Sequence, residues 1–276
     1  MKYIQPFNQI LRKDSPKYGG KAASLGEMLQ AGVRVPNGFG ISIDAHREFA
    51  NKEFSKEFKH ELDKAFDTLR AKRVAIRSSA VAEDASDASW AGQLETFLNI
   101  TRGDLEENIR KCWKSVEAEH VKAYAQNKRL EKNDLLVGVA VQAMVESEAA
   151  GVMFTVNPVT RDKNELIIEA AYGLGEMVVQ GSVTPDRYLV NSKTMAVTKF
   201  DIKVKEKMLI YRDGKNVEIS VPANIADRNV LWEKEILELA KIGLKIAEHY
   251  HEPQDIEWAK AKGKFYIVQS RPITTL

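Results

Sequence analysis

Apolar residues recur at three- and four-residue spacing in several stretches of the chain, and this spacing predicts helices. Four longer helices are predicted, at residues 18–32, 44–69, 104–131 and 227–250, and a short one within residues 173–181. Asp44 and Asp227 are the expected N-caps of the second and the fourth. Phe54, Phe58 and Phe66 fall on one face of the second helix, which indicates core packing and not a ligand site.

Short apolar or alternating runs predict strands between these helices and throughout the second half of the chain. The runs lie at residues 73–79, at residues 135–145, in several segments between 150 and 220, and in a closing hairpin at 254–272. This mixture predicts an α/β (α+β) fold with two lobes. The N-terminal lobe is expected over residues 1–143 and a β-rich C-terminal lobe over residues 144–276.

Composition and charge narrow the class of protein. The 276 residues are 44% hydrophobic and 29% charged, which is typical of a globular protein. A net charge of +2 gives a weak overall field, and no basic cluster predicts nucleic-acid binding. Cys112 is the single cysteine, and its place beside Trp113 in an amphipathic pattern predicts a core residue. No apolar run approaches the ~20 residues of a membrane span, so we expect a cytoplasmic protein without nucleic-acid or membrane partners.

Two basic residues stand where a phosphate could bind. Lys21 follows Gly19-Gly20 at the predicted start of a helix, and helix N-termini favour anions. A solvated lysine in a capping turn is the alternative, since the Walker pattern G-x-x-x-x-G-K-[ST] is absent. Arg77 lies between apolar strand residues and serines, so it is costly to bury unless it faces an anion or a carboxylate such as Asp84.

The segment 80–93 is small, polar and glycine-containing, which predicts a long loop of the kind that acts as a lid or a binding loop. The small residues around Ser89, Gly92 and Gln93 would let backbone N–H groups approach an anion closely. A plain surface loop is the alternative interpretation of the same residues.

The closing hairpin carries the most informative spacing. Asp255 and Glu257 are two residues apart, so they share one face of a strand. Gln269 and Arg271 have the same spacing on the returning strand. A turn with an odd number of residues centred on Gly263 would place the two pairs opposite each other on one face.

Such a patch has the chemistry of a metal and phosphate site. Two carboxylates and an amide oxygen suit Mg²⁺, and an arginine suits the phosphate that the ion would share. One alternative is a surface salt bridge between Asp255 and Arg271. The other is a two-residue Lys-Gly turn, which would put the two sets of side chains on opposite faces.

Taken together, these motifs resemble the N-terminal nucleotide-binding domain of phosphoenolpyruvate synthase and pyruvate phosphate dikinase. The matching stretches cover most of the chain and keep the family's order. They are YGGKAASLGEM, VPNGFGIS, VAIRSSAVAEDASDASWAGQLETFLNI, VQAMVESEAAGVMFTVNP, EAAYGLGEMVVQG and DIEWA with FYIVQSRP. Rifampicin phosphotransferases and glucan, water dikinases carry similar domains.

The resemblance implies an ATP-grasp-like fold that binds ATP between its two lobes. By the same resemblance, Lys21 and Arg77 bind the phosphates. The loop with Ser89, Gly92 and Gln93 would cover them. The adenine would lie against Gln142, Met144 and Val145.

The resemblance also implies the roles of the hairpin residues. Glu257 and Gln269 would hold Mg²⁺, with Asp255 alongside. Arg271 would meet the transferred phosphate, so that Arg271, Lys21 and Arg77 are the implied catalytic residues.

In this family ATP phosphorylates a histidine on a swivelling domain, and the phosphohistidine then phosphorylates pyruvate in a third domain. None of the five histidines lies in the family's Thr-Ser-His or Thr-Cys-His context. The acceptor is therefore expected in another chain or in the remainder of a longer protein. The region between residues 43 and 73 is also shorter than the family's usual helical insert. A nucleotide-binding module without turnover, and a phosphotransferase acting on a drug or a glucan, are the alternatives.

Overall fold

The computed structural model describes residues 2–80, 95–119, 121 and 136–274. The chain divides into two units. The first comprises Met1–Gln30 and Pro36–Met144, and the second comprises Ala31–Val35 and Val145–Leu276. The short segment 31–35 thus leaves the first unit and packs with the second.

The first unit is built on an antiparallel sheet with the strand order β1-β2-β5-β3-β4 across the described residues. Its strands are β1 (Ile4–Pro6), β2 (Gly38–Ile41), β3 (Val74–Ala80), β4 (Thr96–Ile100) and β5 (Val137–Ala143). Its helices are α1 (Ser15–Tyr18), α2 (Gly20–Gln30), α3 (Ile43–Phe49), α4 (Lys56–Leu69) and α5 (Leu105–Lys114).

The two faces of this sheet have different partners, because successive side chains of a strand point to opposite sides. Val74 and Ile76 of β3 belong to a buried core that is rich in aromatic residues. That core includes Phe49, Phe54, Phe58 and Trp113 of the segments from α3 to α5. On the other face, small residues let α1 and α2 approach closely. A Cβ added to Gly138 would lie 2.3 Å from the Tyr18 carbonyl oxygen.

The single helix predicted over residues 44–69 is wrong, because the segment forms α3 and α4 with a break at residues 50–55. Ser55 explains the second start: its hydroxyl accepts a hydrogen bond from the backbone N–H of Phe58 at 3.2 Å and N-caps α4. Ser42 occupies the N-cap position of α3, so Asp44 lies within the first turn.

Two other predicted helices also differ from the structure. The helix predicted over residues 104–131 is interrupted after Lys114 by a 3₁₀ turn over Ser115–Glu117, and its predicted end lies outside the described residues. The last helix begins after Trp232, and not after Asp227. The Glu235 carboxylate accepts a hydrogen bond from the Trp232 N–H at 3.0 Å, so the local cap lies five residues later than predicted.

The second unit carries a mixed set of elements that follows the predicted β-rich pattern. Its strands are β6 (Ala149–Phe154), β7 (Glu165–Tyr172), β8 (Asp186–Asn191), β9 (Ala196–Asp201), β10 (Lys207–Arg212), β11 (Lys215–Ser220), β12 (Gln254–Ala261) and β13 (Lys264–Pro272). Its helices are α6 (Glu176–Val179) and α7 (Glu233–Tyr250). Within the described ranges, the larger sheet has the order β13-β12-β6-β7-β8-β9, and β10 pairs with β11 separately. The predicted α/β class is confirmed.

The larger sheet buries one face and carries the predicted site residues of the closing hairpin on the other. Ile256, Met153, Ile168 and Tyr188 are cross-strand neighbours, and all four are fully buried. Helix α7 covers this row closely, since a Cβ on Gly243 would lie 2.4 Å from the Met153 methyl carbon. Side chains one position away on each strand therefore point to the opposite face. Across the described ranges, no helix combines the length and apolar character that crossing a bilayer requires.

Candidate functional site

The start of α2 is fixed against the end of β3 in the first unit. Gly19 has φ +80°, and a Cβ there would lie 2.1 Å from the Ser79 carbonyl oxygen, so a glycine is required. The backbone N–H of Ala22 donates to Ser79 Oγ at 3.3 Å. Lys21 lies between these two contacts, in the first turn of the helix. The predicted helix start is therefore placed beside the strand that carries Arg77.

Arg77 is buried on the same face of β3 as Ser79 and is only 6% exposed. Its Nη1 lies 3.5 Å from Oε1 of Gln142 on the neighbouring strand β5. The alternative partner Asp84 lies outside the described residues. The structure thus brings Arg77 and Gln142, which were predicted separately, to one place in the sheet.

Gln142 has a buried amide group whose polar atoms are only partly satisfied. The side chain is 2% exposed, and within the described part of the chain Nε2 has no hydrogen-bond partner. Leaving such a donor unsatisfied costs about 1–3 kcal/mol. A bound molecule with an acceptor would remove that cost. Met144 and Val145 follow this strand and are half-buried, and the Met144 N–H donates to the Arg73 carbonyl oxygen at 3.0 Å.

In the second unit, the predicted pairing of the closing hairpin is confirmed. Glu257 lies opposite Gln269, and Asp255 lies opposite Arg271. These four side chains share the face that α7 does not cover. Trp258 turns to the other face and is 1% exposed, as the spacing predicts.

The predicted turn is wrong, although the pairs that it was meant to explain are correct. Ala261 pairs with Lys264, so the loop is the two-residue turn Lys262-Gly263, with φ +51° and +68°. A two-residue turn alone would place the polar sets on opposite faces. A β-bulge between Glu257 and Trp258 corrects this, because it adds one residue to β13.

Asp255 and Arg271 form the ion pair that the sequence offered as an alternative. Arg271 donates from Nε and Nη2 to one carboxylate oxygen of Asp255, at 2.9 and 2.6 Å. Burial raises the pKa of Asp255 above its ordinary value, while the Arg271 charge and hydrogen bond act in the opposite direction. The Arg271 side chain is 38% exposed and that of Asp255 is 14% exposed, so the guanidinium is the accessible partner.

Comparison with known proteins identifies the family. The family model for the pyruvate phosphate dikinase AMP/ATP-binding domain matches residues 15–64 and 48–276. The chain belongs to this family. A probable phosphoenolpyruvate synthase of Methanocaldococcus jannaschii is 38% identical over 100% of this chain and 27% of its own length. One from Archaeoglobus fulgidus is 39% identical over 96% of this chain and 41% of its own length.

Two further proteins match the chain, one by its sequence and one by its structure. An uncharacterized phosphotransferase of Bacillus subtilis, YvkC, is 36% identical over 94% of this chain and 33% of its own length. The chain thus spans less than half the length of these curated relatives. D-alanine–D-alanine ligase from Bacillus anthracis complexed with ATP matches with a TM-score of 0.42 and 8% identity, over 91% of this chain and 54% of its own. Because that score is below 0.5, the assignment depends on the family model and the curated relatives.

The oxygen donors of this dikinase domain fit Mg²⁺ in type but not in number. Mg²⁺ takes six oxygens in a near-octahedral arrangement, usually from one or two carboxylates, waters and substrate phosphates. Glu257 and Gln269 offer a carboxylate and an amide oxygen across one strand pair. Among the described residues, no group of three or more His, Cys, Asp and Glu side chains could hold a metal. The remaining ligands would therefore come from phosphate and water.

The structure does not test the remaining predicted site residues. Ser89, Gly92 and Gln93 lie outside the described residues. The predicted approach of the hairpin patch to Lys21 and Arg77 stays a prediction.

Sequence reasoning missed a second charged pair, on the face of the larger sheet that carries Glu257. Glu169 of β7 shares a cross-strand row with Glu257, with Val152 of β6 between them. Arg187 of β8 donates from Nε and Nη2 to Glu169 Oε1, at 3.0 and 2.7 Å. A charged residue inside the apolar run ELIIEAAY was the available signal.

Proposed function

We propose that this chain binds Mg-ATP and passes a phosphoryl group from ATP to a histidine on another domain or chain, in a reaction of the phosphoenolpyruvate synthase type. One observation carries the proposal: the hairpin pairs Glu257 with Gln269 on the same face as the accessible guanidinium of Arg271. An ATP-grasp-like fold completes the proposal.

Each cationic group has a defined task in this function. Lys21 and the first N–H groups of α2 would bind phosphate oxygens, because a helix N-terminus and an ammonium both favour anions. Arg77 would add a buried fork of donors, where charge-assisted hydrogen bonds are strong. Mg²⁺ held by Glu257 and Gln269, with Asp255 alongside, would neutralise charge on the phosphates.

Arg271 would act on the phosphoryl group that is transferred. Its ion pair with Asp255 fixes the guanidinium plane, and its exposure makes the guanidinium accessible to a phosphate. Phosphoryl transfer demands little covalent chemistry from the protein, so positioning and charge stabilisation supply most of the catalysis. The loop with Ser89, Gly92 and Gln93 would close over the phosphates.

The names of the relatives support a final acceptor for the phosphoryl group. Several of them are named phosphoenolpyruvate synthase, which supports pyruvate as the final acceptor. The intermediate would be a phosphohistidine on a swivelling domain, and a third domain would bind pyruvate and phosphoenolpyruvate. We place the protein in the cytoplasm, with no nucleic-acid or membrane partner.

Nucleotide binding measured by calorimetry tests this function directly. We expect Mg-ATP binding by the wild-type chain, and a roughly tenfold to hundredfold loss for Lys21→Ala or Arg77→Ala, because a charge-assisted contact is worth about 1.5–3 kcal/mol. Glu257→Gln should remove the Mg²⁺ dependence and leave metal-free ATP binding unchanged.

Lys17→Ala is the matched control, since Lys17 is an exposed lysine four residues before Lys21. It should bind Mg-ATP like the wild-type chain. Absence of wild-type binding at millimolar nucleotide would overturn the proposal. A variant that loses its cooperative thermal transition at unchanged affinity would show that the substituted residue is structural.

A further inference from the structure

The bulge in β13 takes up one extra residue between the two-residue turn and the polar pairs. Trp258 pairs with Ile267, and the adjacent Glu257 pairs with Gln269, so Val268 is the extra residue. If Val268 were absent, the two-residue turn would still pair Trp258 with Ile267. The same regular ladder would then pair Glu257 with Gln269 and Asp255 with Arg271.

The bulge is held on both sides within the second unit. On the inner side, Ile267 and Trp258 are buried, each 1% exposed. On the outer side, the Ile267 N–H donates to the Arg34 carbonyl oxygen at 2.9 Å. Arg34 Nη1 also donates to the Phe265 carbonyl oxygen at 3.3 Å. The strand is thus fixed immediately before Val268.

Beyond the bulge, the next side chains are the ones that the proposed site uses. Gln269 follows Val268 directly and is 9% exposed, and Arg271 lies two residues further on the same face. A bulge adds local twist and redirects the side chains that follow it. Because the segment before the bulge is fixed, the added twist changes the direction of the Gln269 and Arg271 side chains.

We propose that Val268 is a positioning residue of the Mg-ATP site, whose bulge turns Gln269 toward Glu257 and aims the Arg271 guanidinium at the bound phosphate. This inference rests on the proposed function. Val268 is apolar and is not among the residues proposed to bind metal or nucleotide. The inference is that it sets the geometry of two polar residues that are, Gln269 and Arg271. Loss of the groups that orient metal ligands typically costs about 10- to 100-fold in metal affinity.

Deletion of Val268 is the decisive experiment, because it removes the bulge and keeps every strand pair and its face. We expect a cooperative thermal transition, unchanged affinity for metal-free ATP, and a loss of about 10- to 100-fold in Mg-ATP affinity measured by calorimetry. Direct Mn²⁺ binding in the presence of ATP, followed by electron paramagnetic resonance, should weaken in parallel. Val268→Ala keeps the chain length and the bulge, so it should lose less Mg-ATP affinity than the deletion variant does.

A folded deletion variant with wild-type Mg-ATP affinity would overturn the inference. The bulge would then serve only to pair the polar residues across a two-residue turn. If the deletion variant does not fold, Val268→Gly replaces it, since glycine keeps the length and loosens the backbone at the bulge. It should bind Mg-ATP more weakly than Val268→Ala, and equal affinities would overturn the inference. Failure of the wild-type chain to bind Mg-ATP would instead overturn the proposed function.

Discussion

Burial changes the pKa of His46, a residue that looks ordinary in the sequence. Its ring is 7% exposed and stacks on Trp113 with the planes 1° apart and the centroids at 5.4 Å. Nδ1 accepts a hydrogen bond from the Val137 N–H at 3.1 Å. Burial lowers the pKa of His46 to about 4, because the charged form loses its hydration.

This histidine should make the stability of the chain depend on pH. Its folded pKa lies below the ordinary value of about 6.5, so the unfolded chain binds the proton more strongly. The stabilisation is complete above about pH 6.5 and is lost as the pH falls toward about 4, to a total of about 3 kcal/mol. Chemical denaturation of the wild-type chain and of His46→Gln between pH 5 and 8 measures the difference.

The free energies of unfolding of these two proteins should converge as the pH falls. Glutamine can accept the same hydrogen bond but does not titrate. His60→Gln is the control, because His60 is exposed on α4 and its loss should shift the curve little. Parallel curves for the wild-type chain and His46→Gln would contradict the prediction.

At the residue scale, the sequence predicts positions better than partners. Alternation along β3 places Arg77 and Ser79 on one face, which is what the structure has. Cys112 is predicted as a core residue, and it is fully buried with a thiol whose pKa burial raises to about 12. The Arg77–Gln142 contact joins strands that are 65 residues apart, and local spacing contains no information on such a contact.

At the element scale, regular periodicity was predictable and interruptions were not. The hairpin pairs follow from residue spacing, but the bulge that produces them depends on tertiary contacts of Ile267 with Trp258 and Arg34. The break between α3 and α4 has a local cause in Ser55. The apolar pattern did not indicate this break, because Phe54 and Phe58 continue the helical spacing across it.

A buried ion pair joins the elements of the second unit, and nothing in the sequence distinguishes it from a solvated lysine. Lys205 and Asp186 are fully buried, with Nζ 2.7 Å from Oδ1. Nζ also donates to the carbonyl oxygens of Lys203 and Arg228, at 2.7 and 2.6 Å. The second Asp186 oxygen accepts from the Val230 N–H at 2.8 Å. The pair therefore ties β8 to the segments before β10 and before α7.

Removing the cation of this pair should destabilise the second unit strongly. Lys205→Met leaves the Asp186 carboxylate buried without its counter-charge, and such a change costs about 3–5 kcal/mol. Urea denaturation followed by tryptophan fluorescence measures the effect. Lys207→Met is the matched control, because the Lys207–Glu218 pair is 42% and 52% exposed and is worth less than about 1 kcal/mol. Equal losses in the two variants would show that the buried pair has no special role.

At the scale of the whole molecule, the family was predictable from the sequence because its motifs follow one order along most of the chain. The segment 31–35 was not, since its packing with the second unit depends on backbone contacts of Arg34 with β13. The chain spans 27% and 41% of the lengths of two synthase relatives. Under the proposed function, the acceptor of the phosphoryl group lies outside these 276 residues.

The last prediction concerns turnover by the chain alone. We expect it to bind Mg-ATP but to release little AMP or ADP, because none of its histidines has the sequence context of a phosphoryl acceptor. His46, for example, is buried against Trp113 and cannot meet a phosphate. Incubation with ATP labelled on the β- and γ-phosphates, followed by separation of nucleotides, measures this directly.

Addition of a separately produced domain that carries the proposed acceptor histidine should transfer label to that domain. Transfer should require Mg²⁺, since the proposed site neutralises the phosphates with the ion and with Arg271. Glu257→Gln is the control for the metal, and it should abolish labelling while ATP without Mg²⁺ still binds. Rapid ATP turnover by the isolated chain would contradict the need for an external acceptor. Equal labelling by the Glu257→Gln variant would contradict the metal site, because phosphoryl transfer would then proceed without the carboxylate that is proposed to hold the ion.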